Sequence, residues 1–240
     1  MSVVRVGTAG WAIPRAVAGS FPEEGSGLQR YAARFDVAEI NSSFHRPHRP
    51  GTYARWAEST PEGFRFSAKL PRTITHDLRL ASAEAELDRF LGEIAGLGSK
   101  LGPLLVQLPP SLAFAPEVAA PFLGQLRARH AGGSALEPRH GSWFGIEADA
   151  LLSQHQVARV AADPARVPLA SEPGGWPGLV YYRLHGAPRP YYSAYAGTYL
   201  EALAAKLSAA SVETWCIFDN TASGAAAGNS LDVLALLASS

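Results

Sequence analysis

The chain has 240 residues, of which 47% are hydrophobic, and its 21 basic side chains balance 21 acidic ones. This length is sufficient for one α/β barrel or for two smaller domains, each with a buried core. The balanced charge argues against a surface built entirely for nucleic acid or for an anionic membrane, while a local basic patch stays compatible with it.

Cysteine content and hydropathy indicate the compartment. Cys216 is the only cysteine, so an intrachain disulfide is excluded and no oxidising compartment is required. No apolar run approaches the roughly 20 residues that a membrane-spanning helix needs, and the first residues lead directly into a strand pattern without the features of a signal peptide. We therefore expect a soluble, cytoplasmic protein that does not bind membranes.

Short β-branched or aromatic runs alternate with helical patterns along the chain. The eight predicted strands lie at residues 3–7, 37–41, 64–69, 103–108, 134–137, 157–161, 179–185 and 213–219. The predicted helices lie at residues 27–34, 51–58, 83–97, 116–129, 146–154, 199–210 and 229–238. Residues 164–178 contain four prolines and three glycines, which predicts a loop where the helix after the sixth strand is expected.

Eight strands alternating with helices predict either a closed TIM-type (β/α)₈ barrel or an open doubly wound sheet. Polar residues end nearly every predicted strand instead of clustering at one point, which favours the closed barrel. The glycine-containing turn from Gly7 to Trp11 lacks the Gly-x-Gly-x-x-Gly pattern of a dinucleotide-binding sheet. No repeat or linker divides the chain, so we predict a single barrel domain over residues 1–240.

The alternation of side chains along a strand predicts which polar residues face the barrel interior. Tyr181, Arg183 and His185 share one face of the seventh predicted strand. The same pattern directs further residues at the strand ends inward: Glu39, Asn41, Ser67, Lys69, Leu105, Gln107, Glu137, Arg139 and Asp163. On the last strand two inner faces are equally compatible with the pattern, one formed by Trp215, Ile217 and Asp219, the other by Cys216, Phe218 and Asn220.

Several segments of this chain form a recognisable series: Val6 to Trp11, Glu39 to Phe44, Ile74 to His76, Lys100 to Pro110, Arg139 to Phe144, Tyr182 to Gly186, Phe218 to Thr221, and Asn229. In this order, and over nearly the whole chain, they resemble the DUF72, or YecE-like, family. The resemblance implies a TIM-type barrel of bacterial or archaeal origin with no established activity, and a shared fold does not assign one. The chain has Asp219 before Asn220 where two asparagines are common in the family, which adds an acid.

Five residues at the strand ends are the catalytic candidates: Glu39, Lys69, Glu137, Asp163 and His185. Carboxylates that converge with cations suit acid-base or hydrolytic chemistry. The same acids and a histidine would also hold a divalent metal, but the cations in the ring and the lack of a compact ligand spacing favour no cofactor. A third interpretation is that the acids and bases form a purely structural network of ion pairs.

The binding candidates are Trp11, Asn41, His76, Gln107, Arg139, His140, Trp143, Arg183, Tyr191, Tyr195 and Asn220. They support two hypotheses. In the first, the protein is a hydrolase-type or isomerase-type enzyme whose barrel mouth binds a small phosphorylated or polyhydroxylated anion. In the second, the basic segment 45–49 and the Arg- and Tyr-containing segment 189–195 bind or process nucleic acid. The structural alternative is that the tryptophans cap the core, the tyrosines pack a loop and the histidines bond neighbouring loops. Protein partners are not predicted.

Overall fold

The computed structural model describes residues 3–239, so the predicted domain includes three residues outside this range. Its sheet contains ten strands: β1 (Val4–Ala9), β2 (Val37–Ile40), β3 (Arg65–Lys69), β4 (Leu101–Gln107), β5 (Ser134–Glu137), β6 (Ala158–Arg159), β7 (Ala161–Asp163), β8 (Gly174–Gly175), β9 (Leu179–Leu184) and β10 (Glu213–Phe218). β1 to β5 pair in parallel in chain order, and β1 also pairs with β10, which pairs with β9.

The ring closes through β6 and β7, which are two halves of one strand interrupted at Val160. β6 pairs in parallel with β5, and β7 pairs in parallel with β9. The short β8 runs antiparallel to β6. The predicted TIM-type barrel is therefore confirmed, and the carboxyl ends of its parallel strands all open at one mouth.

Seven α-helices surround the strands: α1 (Gly27–Ala32), α2 (Pro50–Glu58), α3 (Glu84–Ile94), α4 (Pro116–Arg129), α5 (Ile146–Gln154), α6 (Gly197–Ser208) and α7 (Ala225–Ala238) in the described range. The predicted loop after the sixth strand is confirmed, since residues 164–178 contain only a 3₁₀ turn, Pro168–Ser171, and β8. None of the helices described between residues 3 and 239 is both long enough and apolar enough to cross a membrane.

The interior of the barrel is filled by side chains from alternate strand positions. Trp215 and Ile217 pack inside with Leu105 and Tyr181, and the rings of Trp215 and Tyr181 stack 6.1 Å apart. Cys216 and Phe218, two residues apart on the same strand, pack outward against α6 and α7. The last strand, whose inner face the sequence left open, therefore directs Asp219 into the mouth.

Tyr31 joins α1 to the seam between β1 and β2. Its buried hydroxyl accepts a hydrogen bond from the backbone N–H of Thr8 at 2.8 Å and donates one to the carbonyl oxygen of Val37 at 2.9 Å. Burial raises the pKa of this phenol, so the hydroxyl stays neutral and keeps its donor hydrogen. The hydroxyl thereby bridges the backbones of β1 and β2.

We expect Tyr31→Phe to lower the free energy of unfolding by roughly 2 to 4 kcal/mol, because one buried donor and one buried acceptor lose their partner. Urea unfolding followed by circular dichroism measures the change. Tyr192→Phe is the matched control, since Tyr192 is 45% exposed. Equal stability of the two variants would contradict a structural role for the Tyr31 hydroxyl.

Candidate functional site

The centre of the barrel mouth is Arg183, which comes from β9 and is fully buried. Its guanidinium forms a two-pronged pair with Glu39 of β2, with Nε 3.0 Å from Oε2 and Nη2 2.7 Å from Oε1. Nη1 donates to Oε2 of Glu137 at 2.5 Å, and Nη2 also donates to Oδ2 of Asp219 at 3.0 Å. One cation therefore joins three carboxylates from different strands, which meet only because the sheet is closed.

His185 completes this network between two of the same carboxylates. Its Nε2 lies 3.0 Å from Oε1 of Glu137, and its Nδ1 lies 3.1 Å from Oδ2 of Asp219. Arg139 adds a second cation above Glu137, with Nε donating to Oε1 at 3.0 Å. Because both ring nitrogens of His185 face carboxylate oxygens, the charged imidazolium with two N–H donors suits this position.

The electrostatics of the network keep its acids ionised. Burial opposes the charge on Glu137, but Arg183, Arg139 and His185 outweigh burial and hold the pKa of Glu137 well below its usual value. The pKa of Asp219 is likewise lowered, since Arg183 and His185 outweigh its burial. For His185 burial lowers the pKa, but the two carboxylates outweigh it and raise the pKa above the ordinary value.

Lys69 lies beside this network and does not join it. Its side chain ends β3, is 6% exposed, and places Nζ 4.0 Å from the centre of the Phe44 ring. Among residues 3–239, no side chain or backbone group is within hydrogen-bonding or ion-pair distance of Nζ. Burial, followed by repulsion from Arg183, lowers the pKa of Lys69 to about 8. Roughly a tenth of its amines are therefore uncharged at pH 7.

A cavity of about 490 Å³ opens above Lys69 and Arg183. Its lining includes most of the predicted binding residues: Asn41, His76, Gln107, Arg139, Arg183 and Tyr191. Further cationic or ionisable side chains at the rim are Arg72 and His45. Asp219 is the one carboxylate among the described lining residues, and its charge is already compensated by Arg183 and His185. The volume lies in the range of small-molecule sites.

A second cavity of about 420 Å³ adjoins the first and is lined by Glu137, His185, Arg166 and several alanines and prolines. Arg139 and Tyr191 line both cavities, and Nη1 of Arg139 donates to the Tyr191 hydroxyl at 3.2 Å. Tyr191 has a left-handed backbone with φ of 70°, a conformation that is strained for a residue with a bulky side chain. This contact between a loop tyrosine and Arg139 therefore divides the mouth into two compartments.

Asp163 lies apart from the other four predicted catalytic residues. On β7 it is preceded by Ala162, which faces the interior, so Asp163 lies on the outer face of the sheet. There its Oδ1 accepts a hydrogen bond from the Tyr195 hydroxyl at 2.8 Å. The inward placement of Asp163 was wrong, because the two-residue alternation runs through Ala158, Val160 and Ala162 instead.

Two further predicted binding residues stabilise the loop after β9 from below. The hydroxyl of Tyr195 also accepts from the backbone N–H of Gly186 at 2.8 Å, and its ring is 7% exposed. Asn220 is fully buried and donates to the carbonyl oxygen of Ser193 and to Oδ1 of Asn229, both at 3.0 Å. These contacts support the loop that carries Tyr191 and do not bring either side chain into the cavity.

The aromatic residues after the first and fifth strands pack in the core. Trp143 is 1% exposed and its Nε1 donates to the carbonyl oxygen of Leu112 at 3.0 Å. Trp11 packs edge-on against Trp56, with ring centres 5.0 Å apart. His140 caps the following 3₁₀ turn, with Nδ1 bonded to the backbone N–H of Ser142. For these three residues the structure supports the capping and loop-bonding alternative.

Three residues of the site did not appear among the predicted site residues. Asp219 was seen as an added acid, but an apolar residue at every position from 215 to 218 hid its orientation. Tyr181 was placed inward without a role, and its hydroxyl donates to Oε2 of Glu39 at 3.0 Å. Phe44 carries no sequence signal, since its contact with Lys69 depends on the turn Ser42–Phe44 after β2.

The described residues offer no ligand set for the divalent metal ion that the sequence analysis considered. Over residues 3–239, no group of three or more His, Cys, Asp or Glu side chains is arranged to hold a metal ion. The carboxylate oxygens of the mouth instead face Arg183, Arg139 and His185.

A comparison with known protein families identifies the family of this chain. The model of a family described as "Protein of unknown function DUF72" matches residues 5–240. The chain belongs to the DUF72 family.

Two curated relatives resemble this DUF72 protein in sequence. The UPF0759 protein YecE of Escherichia coli K12 is 33% identical in an alignment of 144 residues that covers 57% of this chain. The UPF0759 protein YunF of Bacillus subtilis 168 is 28% identical in an alignment of 152 residues that covers 59% of this chain. In each case the match spans about half of the relative's length, 52%.

Solved DUF72 structures share the fold. A crystal structure from Enterococcus faecalis V583 superposes with a TM-score of 0.82 at 23% identity and covers 98% of this chain and 96% of its own. One from Thermotoga maritima MSB8 has a TM-score of 0.80 at 26% identity, with 98% and 99% covered. The barrel is thus shared within the family, while the names of these relatives state no activity.

We expect Arg183→Met to destabilise this DUF72 protein by about 3 to 5 kcal/mol, because Glu39, Glu137 and Asp219 would be left buried without their cation. The pKa values of Glu137 and Asp219 are lowered in the folded wild type. Their contribution is present above pH about 4 and is lost as the pH falls through the folded pKa values. In the variant these acids become easier to protonate, so the difference from wild type shrinks on acidification.

Urea unfolding between pH 3 and pH 8 measures both effects. Arg129→Met is the control, since Arg129 forms an exposed pair with Asp88 at the amino-terminal side of the barrel. A deficit for Arg183→Met that stays constant over this pH range would contradict the proposed burial of three ionised carboxylates.

His185→Gln tests the imidazolium by pH-dependent stability. A histidine whose pKa is raised on folding stabilises the fold fully below its unfolded value of about 6.5, and this contribution is lost as the pH rises through the folded pKa. We therefore expect the loss in the variant to be largest at pH 5.5 and to shrink towards pH 9, by urea unfolding.

His76→Gln is the control, because the pKa of His76 is shifted in the opposite direction to that of His185. Burial and then Arg72 lower the pKa of His76, so its removal gives no deficit that grows towards acid pH. A His185→Gln deficit of equal size at pH 5.5 and pH 9 would refute the charged form of His185.

Proposed function

We propose that this DUF72 protein is an enzyme that binds a small anion, phosphorylated or polyhydroxylated, in the cavity above Lys69 and carries out acid-base chemistry on it. The supporting observation is Lys69 itself, a nearly buried amine that lines a 490 Å³ cavity without an acidic partner within ion-pair distance. An unpaired buried cation is costly, and an anionic ligand would supply the partner.

The charges around the cavity support this ligand class. Glu39 and Glu137 are paired with Arg183 and do not line this cavity, so their negative charges are compensated outside it. Lys69, Arg72 and Arg139 face the cavity, and Arg72 has only a long contact of 3.3 Å with the exposed Asp77. The cavity therefore presents an excess of positive charge, which attracts anions.

Lys69 is also the group best suited to transfer a proton. A pKa of about 8 places it near the pH at which both its forms are available, as general acid-base catalysis requires. Glu137 and Asp219 are held ionised by Arg183 and serve to position it. Gln107 at the end of β4 and Asn41 directly after β2 line the same cavity, where amide groups suit the hydroxyls of a polyhydroxylated ligand.

Nucleic acid is the second candidate ligand, and the loop after β9 favours it. Tyr191 and Tyr192 are 39% and 45% exposed, and Arg189 stacks on the ring of Tyr192 at 3.9 Å. Exposed tyrosines beside an arginine suit stacking on bases beside phosphate contacts. The volume of the cavity suits a small molecule better, so we place nucleic acid second. A cytoplasmic location accords with the single cysteine and stays a prediction.

Anion binding is tested by calorimetric titration with inorganic phosphate and with glucose 6-phosphate, using glucose as the uncharged match. We expect the two anions to bind and glucose to bind more weakly. Lys69→Gln and Arg72→Gln should each weaken phosphate binding roughly tenfold, because each removes one charge-assisted contact worth about 1.5 kcal/mol.

Arg129→Gln, on the amino-terminal side of the barrel, is the matched control and should leave binding unchanged. Titration with a single-stranded oligonucleotide at two salt concentrations forms the second arm, since phosphate contacts predict affinity that falls steeply with salt. If the oligonucleotide binds and the small anions do not, the second candidate is correct. If none binds, the polar mouth is structural ion pairing alone.

A further inference from the structure

We propose that Lys69 is a nucleophile that forms a Schiff base, and that the ligand of this DUF72 protein is an aldehyde or ketone carrying an anionic group. This inference rests on the proposed anion site and deepens it by assigning the reactive group of the substrate. Three features of the described residues carry it: the surroundings of Nζ, the route to it, and the cations around that route.

The surroundings of Nζ suit an amine that must lose its proton to react. The aromatic face of Phe44 covers one side at 4.0 Å, and no carboxylate lies within ion-pair distance among residues 3–239. The three acids nearest in the network are held by Arg183 instead. Its pKa of about 8 agrees with its position, since burial and the neighbouring Arg183 cation both favour the neutral amine.

The other lysines of the chain lack these features. The chain has three lysines, Lys69, Lys100 and Lys206. Nζ of Lys100 donates to the carbonyl oxygens of Ala57 and Thr60 at 2.5 and 2.6 Å. Lys206 is paired with Glu172 at 3.3 Å, and both side chains are more than half exposed. Lys69 is thus the lysine that combines a free Nζ with a position in the lining of this cavity.

The cavity also provides the route and the orientation. It opens directly onto Lys69, and Arg72 and Arg139 line it on different loops, where they would hold the anionic group of a bound carbonyl compound. Holding the anion fixes the carbonyl carbon near the amine, which raises the effective concentration of the two reacting groups.

The reaction balances without any further reactant. The neutral amine of Lys69 attacks the carbonyl carbon, a C–N bond forms, and the carbonyl oxygen takes up a proton to give a carbinolamine. The nitrogen then expels this oxygen, which leaves as water with the two hydrogens of the amine, and a C=N bond remains. No oxidation or reduction occurs, and the reverse reaction with water releases the carbonyl compound.

The experiment traps the imine with sodium borohydride, using pyridoxal 5′-phosphate as a phosphorylated aldehyde and pyridoxal as its match without phosphate. Peptide mapping by mass spectrometry gives the label on each lysine of the same intact protein. At pH 7 we expect Lys69 to be labelled at least about tenfold faster than Lys206, because a far larger fraction of its amine is neutral. The phosphorylated aldehyde should label it faster than pyridoxal, and inorganic phosphate should slow the labelling.

Two variants separate this inference from the anion site itself. Lys69→Arg keeps the cation and should retain phosphate binding within about threefold while losing all label at this position, because a guanidinium is not deprotonated in proteins. Lys206→Arg is the matched control and should leave the labelling of Lys69 unchanged. Competition among lysines in the wild type needs no variant, so a folding defect does not obscure the result.

Labelling that favours Lys206, or that is equal on Lys69 and Lys206, overturns the Schiff base. If phosphate still binds in that case, the proposed anion site stands without it. If pyridoxal and pyridoxal 5′-phosphate both label Lys69 selectively at equal rates and phosphate does not slow them, the nucleophile stands and the anion site fails.

Discussion

The structure of the barrel mouth depends on one buried guanidinium. Arg183 is fully enclosed, and Glu39, Glu137 and Asp219 approach it from three other strands. Ions this deeply buried are tolerated only when their partners are close and correctly oriented, so the network fixes the relative positions of the strand ends. Its contribution is better understood as positioning than as net stability, because well-packed apolar residues commonly stabilise a core as well as an ion pair does.

This network also determines which polar groups remain available for chemistry. Arg183, Glu137, Asp219 and His185 stabilise one another in their charged forms, with lowered pKa values for Glu137 and Asp219 and a raised one for His185. Lys69 lies outside the hydrogen-bond network, and burial together with repulsion from Arg183 lowers its pKa to about 8. A part of its amine is therefore neutral at pH 7. The same ion pairs that a purely structural interpretation emphasises therefore leave Lys69 without an acidic partner.

The loop after β9 links the network to the cavities above it. Gly186 and Tyr191 in this loop both have left-handed backbone conformations. The loop is supported by hydrogen bonds that involve the buried side chains of Tyr195, Asn220 and Asn229. This support places the Tyr191 ring edge-on to His185, 5.6 Å between ring centres, and its hydroxyl against Arg139. Backbone strain of this kind persists where surrounding contacts over-determine it, and here it separates the two cavities of the mouth.

Strand alternation and helical periodicity are local properties that short windows of sequence reveal, and they were sufficient to predict the barrel, the missing helix after the sixth strand, and the inward set from Glu39 to His185 with the exception of Asp163. Only the tertiary structure decided the orientation of Asp219, since both faces of β10 are apolar and only the packing of Trp215 against Tyr181 distinguishes them. It also decided that Asp163 faces outward, because the closure of the ring through β6 and β7 sets the alternation there. The partners of each charge depend on distances between strands far apart in the chain, and such distances exist only after the ring has closed.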